Sequence, residues 1–438
     1  MASDGDIPQL HGTFRLFDSS WEKKRIDCPV FDVKFYPYDV PDADPIFAVV
    51  ESGDVFVLRP DSQGDTTFHT LKHIRDPNEN LILNSLAWAQ DISTGDPLLC
   101  VAGSGSKSIK VFNPLTGTLV KVINGHGGDI NDLAVSPRSS TLLASGSADY
   151  SIRLWTLNPR HQKQPCAAIL GGGGHTQPIL TLGFHSSGKY LISGGEDTMV
   201  CLWAVPDLSD EEMGTDVIKE CHYPLFASSE IHSDYVDCIE FFGDLILSRA
   251  CGGSPVKKPT KSPDDFKRND IILWKIDGFP HTDASSPEPP IPEPGVHTRS
   301  AFGGRFQLLL TFELWPATPF YMRFGLFNQP HHRPMLAMGD ELSKYSFWDL
   351  QHLLDTYELD NDTTDTQGTT SDSEDDDESA TKPLTVLSDP LKPIPAHKLI
   401  HIPGSLNFAC RQVAWSYCGK WCIAVGDYGM IVAFKRWS

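Results

Sequence analysis

The sequence predicts an all-β fold, in which seven four-stranded sheets form a closed ring, a seven-bladed β-propeller. Three observations predict it. A strand with a bulky residue near its end recurs seven times along the chain. A short β-rich run ending in a Gly, Ser or Asp turn precedes each copy, and a histidine precedes the first strand of several units. Repetition of one β-sheet unit at a roughly fixed period is typical of propellers.

The recurring strand reads DVFVLRP, SIKVFNP, SIRLWTL, MVCLWAV, DIILWKI, KYSFWDL and MIVAFKRW in chain order. Its aligned bulky residues are Leu58, Phe112, Trp155, Trp203, Trp274, Trp348 and Phe434. Two of the spacings, 43 and 48 residues, match a blade of about 40–45 residues. The longer spacings indicate insertions between strands of some blades.

Two of the units fit the WD-repeat tetrad, in which a histidine, a serine, an aspartate and a tryptophan hydrogen bond across one blade. The first set is His126, Ser145, Asp149 and Trp155, and the second set is His175, Ser193, Asp197 and Trp203. We expect these residues to be structural, because the tetrad explains them without any catalytic role.

The two ends of the chain are expected to meet in one blade. The last repeated strand, 430–437, lies at the C-terminal end and leaves no residues for a fourth strand. The alternating segment Thr13–Phe17 precedes the first unit, so we expect it to supply that strand and close the ring, which leaves only short, protected edges. Residues 1–11 are expected to be a flexible N-terminus and residues 12–438 the propeller.

Three insertions are expected within the propeller. Residues 207–230 link two blades. The region 253–300 contains a basic, proline-rich part at 253–269 and a second proline-rich part at 279–300, on either side of the strand at Asp270. Residues 355–395 are expected to be disordered, because they contain the acidic and polar run TTSDSEDDDESATK and too few apolar residues to form a core.

Composition and charge exclude several classes of function. The 438 residues carry a formal net charge of −21, and direct DNA binding needs clustered lysine and arginine. No apolar run is long enough for a membrane-spanning helix. The ten cysteines contain no CxxC pair, so we expect reduced core thiols and no zinc site. We expect no cofactor, no metal and no enzymatic activity.

Several longer motifs resemble the EED, or extra sex combs, family of WD-repeat subunits of Polycomb repressive complex 2. The motifs are VFDVKF, DPLLCVAGS, GHGGDINDL, DYVDCIEFFGDLILSRAC, FYMRF, MLAMGD, FWDL and RQVAWS. They occur in this order from about residue 28 to the C-terminus and are interrupted by the insertions. They are more specific than the generic WD signals.

The resemblance implies a non-catalytic scaffold that works in the nucleus. Its partners would be the SET-domain histone methyltransferase subunit, held across one face of the ring, other Polycomb complex subunits, and a histone tail. The opposite face would read trimethyl-lysine through a cage of aromatic rings at the central channel. The alternative is a WD-repeat adaptor of another nuclear complex, such as a ubiquitin ligase substrate receptor.

The cage residues follow from the motifs of the resemblance. Phe31 in VFDVKF and Phe320 and Tyr321 in FYMRF would supply rings, and each ring attracts a trimethylammonium by about 0.5–2 kcal/mol. Asn84 stands where the family pattern has a tyrosine, so one wall lacks a π face. Either a nearby ring such as Phe68 refills that wall, or the chain reads methyl-lysine weakly or not at all. Arg411 in RQVAWS would line the same face or form a salt bridge at its rim.

Overall fold

The computed structural model describes residues 7–16, 28–38, 44–61, 67–78, 81–252, 270–280, 287–314, 317–351, 353, 390–403 and 407–437. Among these residues, no helix is long and apolar enough to cross a membrane. The same residues contain no group of three His, Cys, Asp or Glu side chains suited to a metal ion. All ten cysteines are free thiols.

The described residues form seven separate antiparallel blades arranged in chain order. The first strand, β1 (Gln9–Arg15), belongs to the last blade. Blade 1 comprises β2 (Val30–Phe35), β3 (Phe47–Glu51), β4 (Asp54–Pro60) and β5 (Phe68–Arg75). Blade 2 comprises β6 (Ile82–Gln90), β7 (Pro97–Ser104), β8 (Ser106–Asn113) and β9 (Thr118–Asn124). Blade 3 comprises β10 (Ile130–Val135), β11 (Leu142–Ser147), β12 (Ile152–Thr156) and β13 (Cys166–Leu170).

The remaining blades are less regular in the second half of the chain. Blade 4 comprises β14 (Ile179–Phe184), β15 (Tyr190–Gly195), β16 (Val200–Ala204) and β18 (Phe226–Ser228), and blade 3 gains β17 (Lys219–Cys221). Blade 5 comprises β19 (Val236–Phe242), β20 (Leu245–Ala250), β21 (Ile271–Ile276) and β23 (Phe306–Phe312), and blade 4 gains β22 (Thr298–Ser300). Blade 6 comprises β24 (Gly325–Phe327), β25 (Met335–Gly339), β26 (Lys344–Asp349) and β27 (Lys398–His401). Blade 7 comprises β28 (Cys410–Trp415), β29 (Trp421–Gly426), β30 (Met430–Lys435) and β1. Short 3-10 helices span Pro159–His161 and Asp427–Gly429.

The seven-bladed all-β fold predicted from the sequence is confirmed, and the repeated bulky residue occupies one place in every blade. Each of the seven lies on the third strand and is buried. Trp155 pairs with Leu143 of the second strand, and Trp203 pairs in the same way with Leu191. The apolar clusters fill the spaces between neighbouring blades. Burying these large side chains contributes roughly 1.5–3 kcal/mol each relative to exposure, so the repeat marks the core.

The ring closes as predicted, with the N-terminal strand completing the last blade. β1 pairs antiparallel with β30, and Thr13 lies opposite Val432 and Phe14 opposite Ile431. The strand begins at Gln9, before the boundary predicted at residue 12. Leu10 also packs against the core of blade 7. The expected flexible segment 1–11 is therefore too long, because its last residues extend the ladder.

The insertion expected at 207–230 contains two strands, so that expectation is corrected. β18 is the fourth strand of blade 4, and β17 adds to β13 of blade 3 in parallel. The fourth strand is only three residues long, FAS, and the sequence pattern of such a short strand is too weak to distinguish it from a loop.

The ends of the other two insertions also belong to blades. β22, inside the expected insertion 253–300, extends blade 4, and β21 is the third strand of blade 5. Ile394, near the end of the expected insertion 355–395, is buried, and its carbonyl accepts a hydrogen bond from Trp348 Nε1 (3.1 Å). Residues 253–269, 281–286 and 354–389 lie outside the described residues.

The first strands of the blades line a central channel. β2 packs against β6 and β28, and the series continues through β10, β14 and β19. Because every blade repeats the same strand order, these first strands run in the same direction along the channel. Side chains at the beginnings of different first strands therefore meet at one end of the channel.

Candidate functional site

The candidate site lies at the end of the channel where the first strands begin. Phe31 is the second residue of β2, Asn84 the third residue of β6 and Arg411 the second residue of β28. Phe320 and Tyr321 lie in the connection that precedes β24. The structure brings together all five residues that the sequence analysis named for this site, although they are far apart in sequence.

Three aromatic rings form the centre of the site. The ring centroids of Phe31 and Tyr321 are 6.0 Å apart with their planes at 68°. Those of Phe320 and Tyr321 are 4.4 Å apart at 75°. Both are edge-to-face arrangements, which are favourable for aromatic pairs. Phe31 and Phe320 are half-buried while Tyr321 is buried, so two of the three rings keep surface that a ligand can contact.

Tyr321 is held in one position by its backbone and its hydroxyl group. Its φ angle of 57° lies in the left-handed region, which a bulky residue rarely adopts and which marks a constrained position. The hydroxyl donates to the Asn131 carbonyl and accepts from Asn84 Nδ2, both at 3.4 Å. Burial raises the pKa of Tyr321, so the phenol remains a donor.

Arg411 joins the aromatic group to blade 7. Its Nη1 donates to the Phe320 carbonyl (2.6 Å), and its Nε donates to Asp427 Oδ1 (2.7 Å). The centre of its guanidinium lies 5.9 Å from the centroid of the Phe31 ring. Arg411 therefore has both features considered in the sequence analysis, since it faces the site and also forms a salt bridge at its rim.

Of the two alternatives left open for the position of Asn84, the one in which Phe68 supplies the missing ring does not hold. Phe68 lies on β5, the outermost strand of blade 1, with its ring 5.8 Å from Phe14 and 5.5 Å from Phe47. It is buried in the core between blades 1 and 7. The wall at Asn84 is therefore an amide in this chain.

The segment that carries Phe320 and Tyr321 is fastened to blade 5 by Arg249. Arg249 Nη1 donates to the Met322 carbonyl (2.8 Å) and Nη2 to the Ala317 carbonyl, at the two ends of this segment. The same guanidinium is ion-paired with Asp237, and neither side chain reaches solvent. The sequence analysis did not identify this pair. The sequence feature that could have indicated it is a charged residue within each of two mainly apolar strands, Asp237 in VDCIEFF and Arg249 in LILSRA.

A second buried arginine spans the channel directly beside the aromatic rings. Arg323 Nη1 donates to Asp132 Oδ1 (3.0 Å) and Nη2 to the Leu180 carbonyl (2.7 Å). Its guanidinium lies 5.2 Å from the Tyr321 ring centroid. Burial alone would raise the pKa of Asp132, but Arg323, Lys34 and the hydrogen bond from the Leu182 amide together lower it below its usual value, so the carboxylate is ionised. The charges in the channel are thus already neutralised by one another.

The carboxylates of the first strands also connect neighbouring blades. Asp32 Oδ2 accepts from the Leu86 amide (2.9 Å), and Asp132 Oδ2 accepts from the Leu182 amide (2.8 Å). Each bond runs from one blade to the next. Buried hydrogen bonds between blades fix the relative positions of the strands that they join, so these two contacts hold the first strands of neighbouring blades in place.

The hydrogen bonds predicted for both tetrads are present. Trp155 Nε1 donates to Ser145 Oγ (2.7 Å), and Ser145 donates to His126 Nε2 (2.7 Å). His126 Nδ1 donates to Asp149 (2.9 Å). Burial lowers the pKa of His126 despite Asp149, so its ring is neutral. The second tetrad has the same geometry, with distances of 3.0 Å for His175–Asp197, 2.8 Å for His175–Ser193 and 3.0 Å for Trp203–Ser193.

A third, incomplete tetrad occurs in blade 5. Ser248 Oγ lies 2.7 Å from His232 Nε2 and accepts from Trp274 Nε1 (2.9 Å). The histidine signal before this blade was visible in the sequence, but the serine was not identified, because the basic insertion separates it from Trp274. All three tetrads stay within their blades and take no part in the channel site.

Comparisons with known proteins agree with this geometry. The family described as "WD domain, G-beta repeat" matches residues 117–156 and 166–204. Polycomb protein EED of Chaetomium thermophilum is 36% identical over 382 residues, which cover 80% of this chain and 62% of that protein. Polycomb group protein FIE1 of Oryza sativa subsp. japonica is 30% identical, over 66% of this chain and 68% of its own length.

The fold comparison covers nearly the whole chain. A chain in the structure of ctPRC2 in complex with H3K27me3 and H3K27M superposes with a TM-score of 0.83 and 32% identity, covering 99% of this chain and 98% of that one. This chain belongs to the EED family of Polycomb proteins. As an EED-family chain it spans 62% of the length of the Chaetomium EED protein.

Proposed function

We propose that this protein is a non-catalytic scaffold subunit of a Polycomb-type histone lysine methyltransferase complex. It holds the SET-domain catalytic subunit and other Polycomb subunits, acts in the nucleus, and reads a methylated lysine of a histone tail. Its family membership supports the scaffold role, and the similar chain in ctPRC2, solved with H3K27me3, supports a histone tail as ligand.

The observation that carries the reader role is the convergence of Phe31, Phe320 and Tyr321 at one end of the channel. A methylated ammonium is a poor hydrogen-bond donor and is attracted to the faces of aromatic rings, by up to about 2 kcal/mol per ring when desolvated. Converging rings in a propeller channel suit this ligand better than any anion. The exposed surface of Phe31 and Phe320 gives the ligand access.

The buried charges of the channel support a role without catalysis. Asp132 is ion-paired with Arg323, and Asp237 is ion-paired with Arg249. Each acid also accepts a hydrogen bond from a backbone amide, Asp132 from Leu182 (2.8 Å) and Asp237 from Met322 (3.5 Å). A general acid or base needs a proton-transfer partner in a substrate, and these carboxylates are committed to neighbouring cations and amides.

Two other surfaces support binding of partner subunits. The channel end opposite the aromatic site opens into a cavity of about 610 Å³, whose lining includes Lys34, Glu240 and Trp415. The outer strands β5 and β9 and the turn before β9 expose apolar side chains, which are Leu71, Leu115, Leu119, Val120 and Val122. Clustered exposed apolar side chains commonly mark protein interaction sites.

The scaffold role is tested by affinity purification of the full-length chain from its own cells. We expect a SET-domain protein to be the main co-purified partner. The alternative, an adaptor of another nuclear complex such as a ubiquitin ligase substrate receptor, predicts ligase subunits in its place. Recovery of ligase subunits without a SET-domain protein would reject the scaffold role.

The reader role is tested by calorimetric titration of histone-tail peptides that carry one methylated lysine. We expect Phe31→Ala to weaken binding about tenfold, which corresponds to the loss of about 1.4 kcal/mol. The control is Phe306→Ala, which truncates a half-buried ring on an outer strand of blade 5. Equal effects of the two substitutions would count against a cage at Phe31.

A further inference from the structure

Asn84, whose amide nitrogen lies beside Tyr321 of the aromatic site, has a buried hydrogen-bond acceptor without a partner. The side chain is 6% exposed, and its Oδ1 atom has no hydrogen-bond partner. Buried polar groups are normally paired, and leaving one unpaired costs roughly 1–3 kcal/mol. An unpaired acceptor next to a ligand site therefore suggests that the ligand supplies the missing donor.

The hydrogen bonds around Tyr321 fix which end of the amide is free. The Tyr321 hydroxyl has one proton, which it donates to the Asn131 carbonyl (3.4 Å). The hydroxyl oxygen can then only accept from Asn84, so the amide nitrogen faces Tyr321 (3.4 Å). The carbonyl oxygen of Asn84 is the end left without a partner.

The methylation state of a lysine decides whether it can use this acceptor. A trimethylammonium carries no N–H group, whereas a dimethylammonium carries one and keeps two methyl groups for the rings. We propose that Asn84 sets the specificity of the site, so that this protein binds dimethyl-lysine in preference to trimethyl-lysine. This inference rests on the proposed reader function and specifies its ligand.

The number of donors and acceptors favours the dimethyl form over the lower forms as well. A single N–H of dimethyl-lysine matches the single free acceptor of Asn84. Monomethyl-lysine carries a second N–H and unmodified lysine two further N–H groups, and each donor without a partner among the rings is desolvated at a cost. Monomethyl-lysine and unmodified lysine also have fewer methyl groups than dimethyl-lysine to contact Phe31 and Phe320.

The test is calorimetric titration of the full-length protein with four histone-tail peptides of one sequence. The peptides differ only at one lysine, which is unmodified, monomethylated, dimethylated or trimethylated. We expect the dimethyl peptide to bind about tenfold tighter than the trimethyl peptide, because a hydrogen bond to a charged group is lost with the third methyl group. Equal or tighter binding of the trimethyl peptide would overturn the proposal.

Two substitutions at one position separate the acceptor from the ring. Asn84→Leu removes the acceptor at nearly constant size, and we expect the preference for the dimethyl peptide to disappear. Asn84→Tyr supplies the ring that the family resemblance places at this position, and we expect a preference for the trimethyl peptide. Thermal denaturation of each variant shows whether it is folded. If a variant does not fold, the ranking of the four peptides by their affinity for the unsubstituted protein decides whether the proposal holds.

The outcomes distinguish this inference from the reader function on which it rests. If none of the four peptides binds, both the reader function and the specificity are rejected. If the peptides bind and the trimethyl form binds best, the reader function stands and the role of Asn84 is rejected. An unchanged order of affinities in Asn84→Leu would reject the role of Asn84 in the same way.

Discussion

Arg249 donates to both carboxylate oxygens of Asp237, each at 2.8 Å, and both side chains are fully buried. The same guanidinium also donates to the carbonyls of Ala317 and Met322. These carbonyls bracket Phe320 and Tyr321. One buried ion pair therefore stabilises blade 5 and also positions two of the three rings of the candidate site.

We expect Arg249→Met to lower the free energy of unfolding by about 3–5 kcal/mol, because it leaves Asp237 buried without a counter-charge. Urea denaturation measures this loss. The control is Arg305→Met, which removes a cation from the exposed pair with Glu230 and should cost less than about 1 kcal/mol. Similar losses in the two variants would contradict the role given to Arg249.

The double variant Arg249→Met with Asp237→Leu separates stability from positioning. Replacing both charges by apolar groups should recover most of the lost stability. The carbonyls of Ala317 and Met322 still lose their donor, so we expect methyl-lysine peptide affinity to remain reduced about tenfold. Recovery of both stability and affinity would show that Arg249 acts only on stability.

Ser145→Ala tests the first tetrad. Ser145 accepts from Trp155 and donates to His126, so the substitution leaves two buried groups without a partner. We expect the free energy of unfolding to fall by about 2 kcal/mol, measured by urea denaturation. Ser139→Ala removes a half-buried hydroxyl that lies 3.2 Å from Thr141 Oγ1 and should cost about 0.5 kcal/mol or less.

The first tetrad should make the free energy of unfolding depend on pH. Although burial opposes it, hydrogen bonds from His126, Ser151 and the Gly127 amide hold the pKa of Asp149 well below its usual range. Its contribution is therefore complete above the unfolded pKa of about 4 and is lost as the pH falls through the lower folded pKa. We expect Asp149→Asn to cost about 2 kcal/mol at pH 7.

The difference in free energy of unfolding between the wild type and Asp149→Asn should decrease progressively below pH 4, because the Asp149 carboxylate then begins to lose its contribution to stability. Urea denaturation of both proteins between pH 7 and pH 3 measures the difference. The comparison with the variant removes the contributions of all other acids. A difference that stays constant over this range would contradict the lowered pKa.

Closure of the ring is tested by removing β1. Deletion of residues 2–16 removes Phe14 and Leu16 from the core of blades 1 and 7 and exposes the edge of β30. We expect a loss of about 3 kcal/mol or more from the two apolar side chains and aggregation through the open edge. Thermal denaturation with light scattering measures both, and deletion of residues 2–6 is the control.

The residues of the candidate site could be predicted from sequence motifs, but the buried arginines that lie next to them could not. Phe31, Asn84 and Arg411 lie together because each stands near the beginning of the first strand of its blade, and Tyr321 reaches them from the connection before β24. Arg249 and Arg323 were missed, because an isolated arginine in a sequence shows neither its burial nor its partner. The alternative in which Phe68 replaces the missing ring could not be decided from the sequence for a related reason, since the sequence gives no distance between β5 and β6.

The sequence by itself determined the number of blades, the place of each buried bulky residue, the two tetrads and the closing strand. These features repeat, and a local hydrophobic pattern is sufficient to specify a strand that buries one side chain per blade. Only the tertiary structure decided that β17 and β22 extend blades, that two buried arginines lie next to the aromatic site, and that Asn84 Oδ1 has no partner. Those properties depend on contacts between residues far apart in the chain, which the folded ring brings together and no local pattern records.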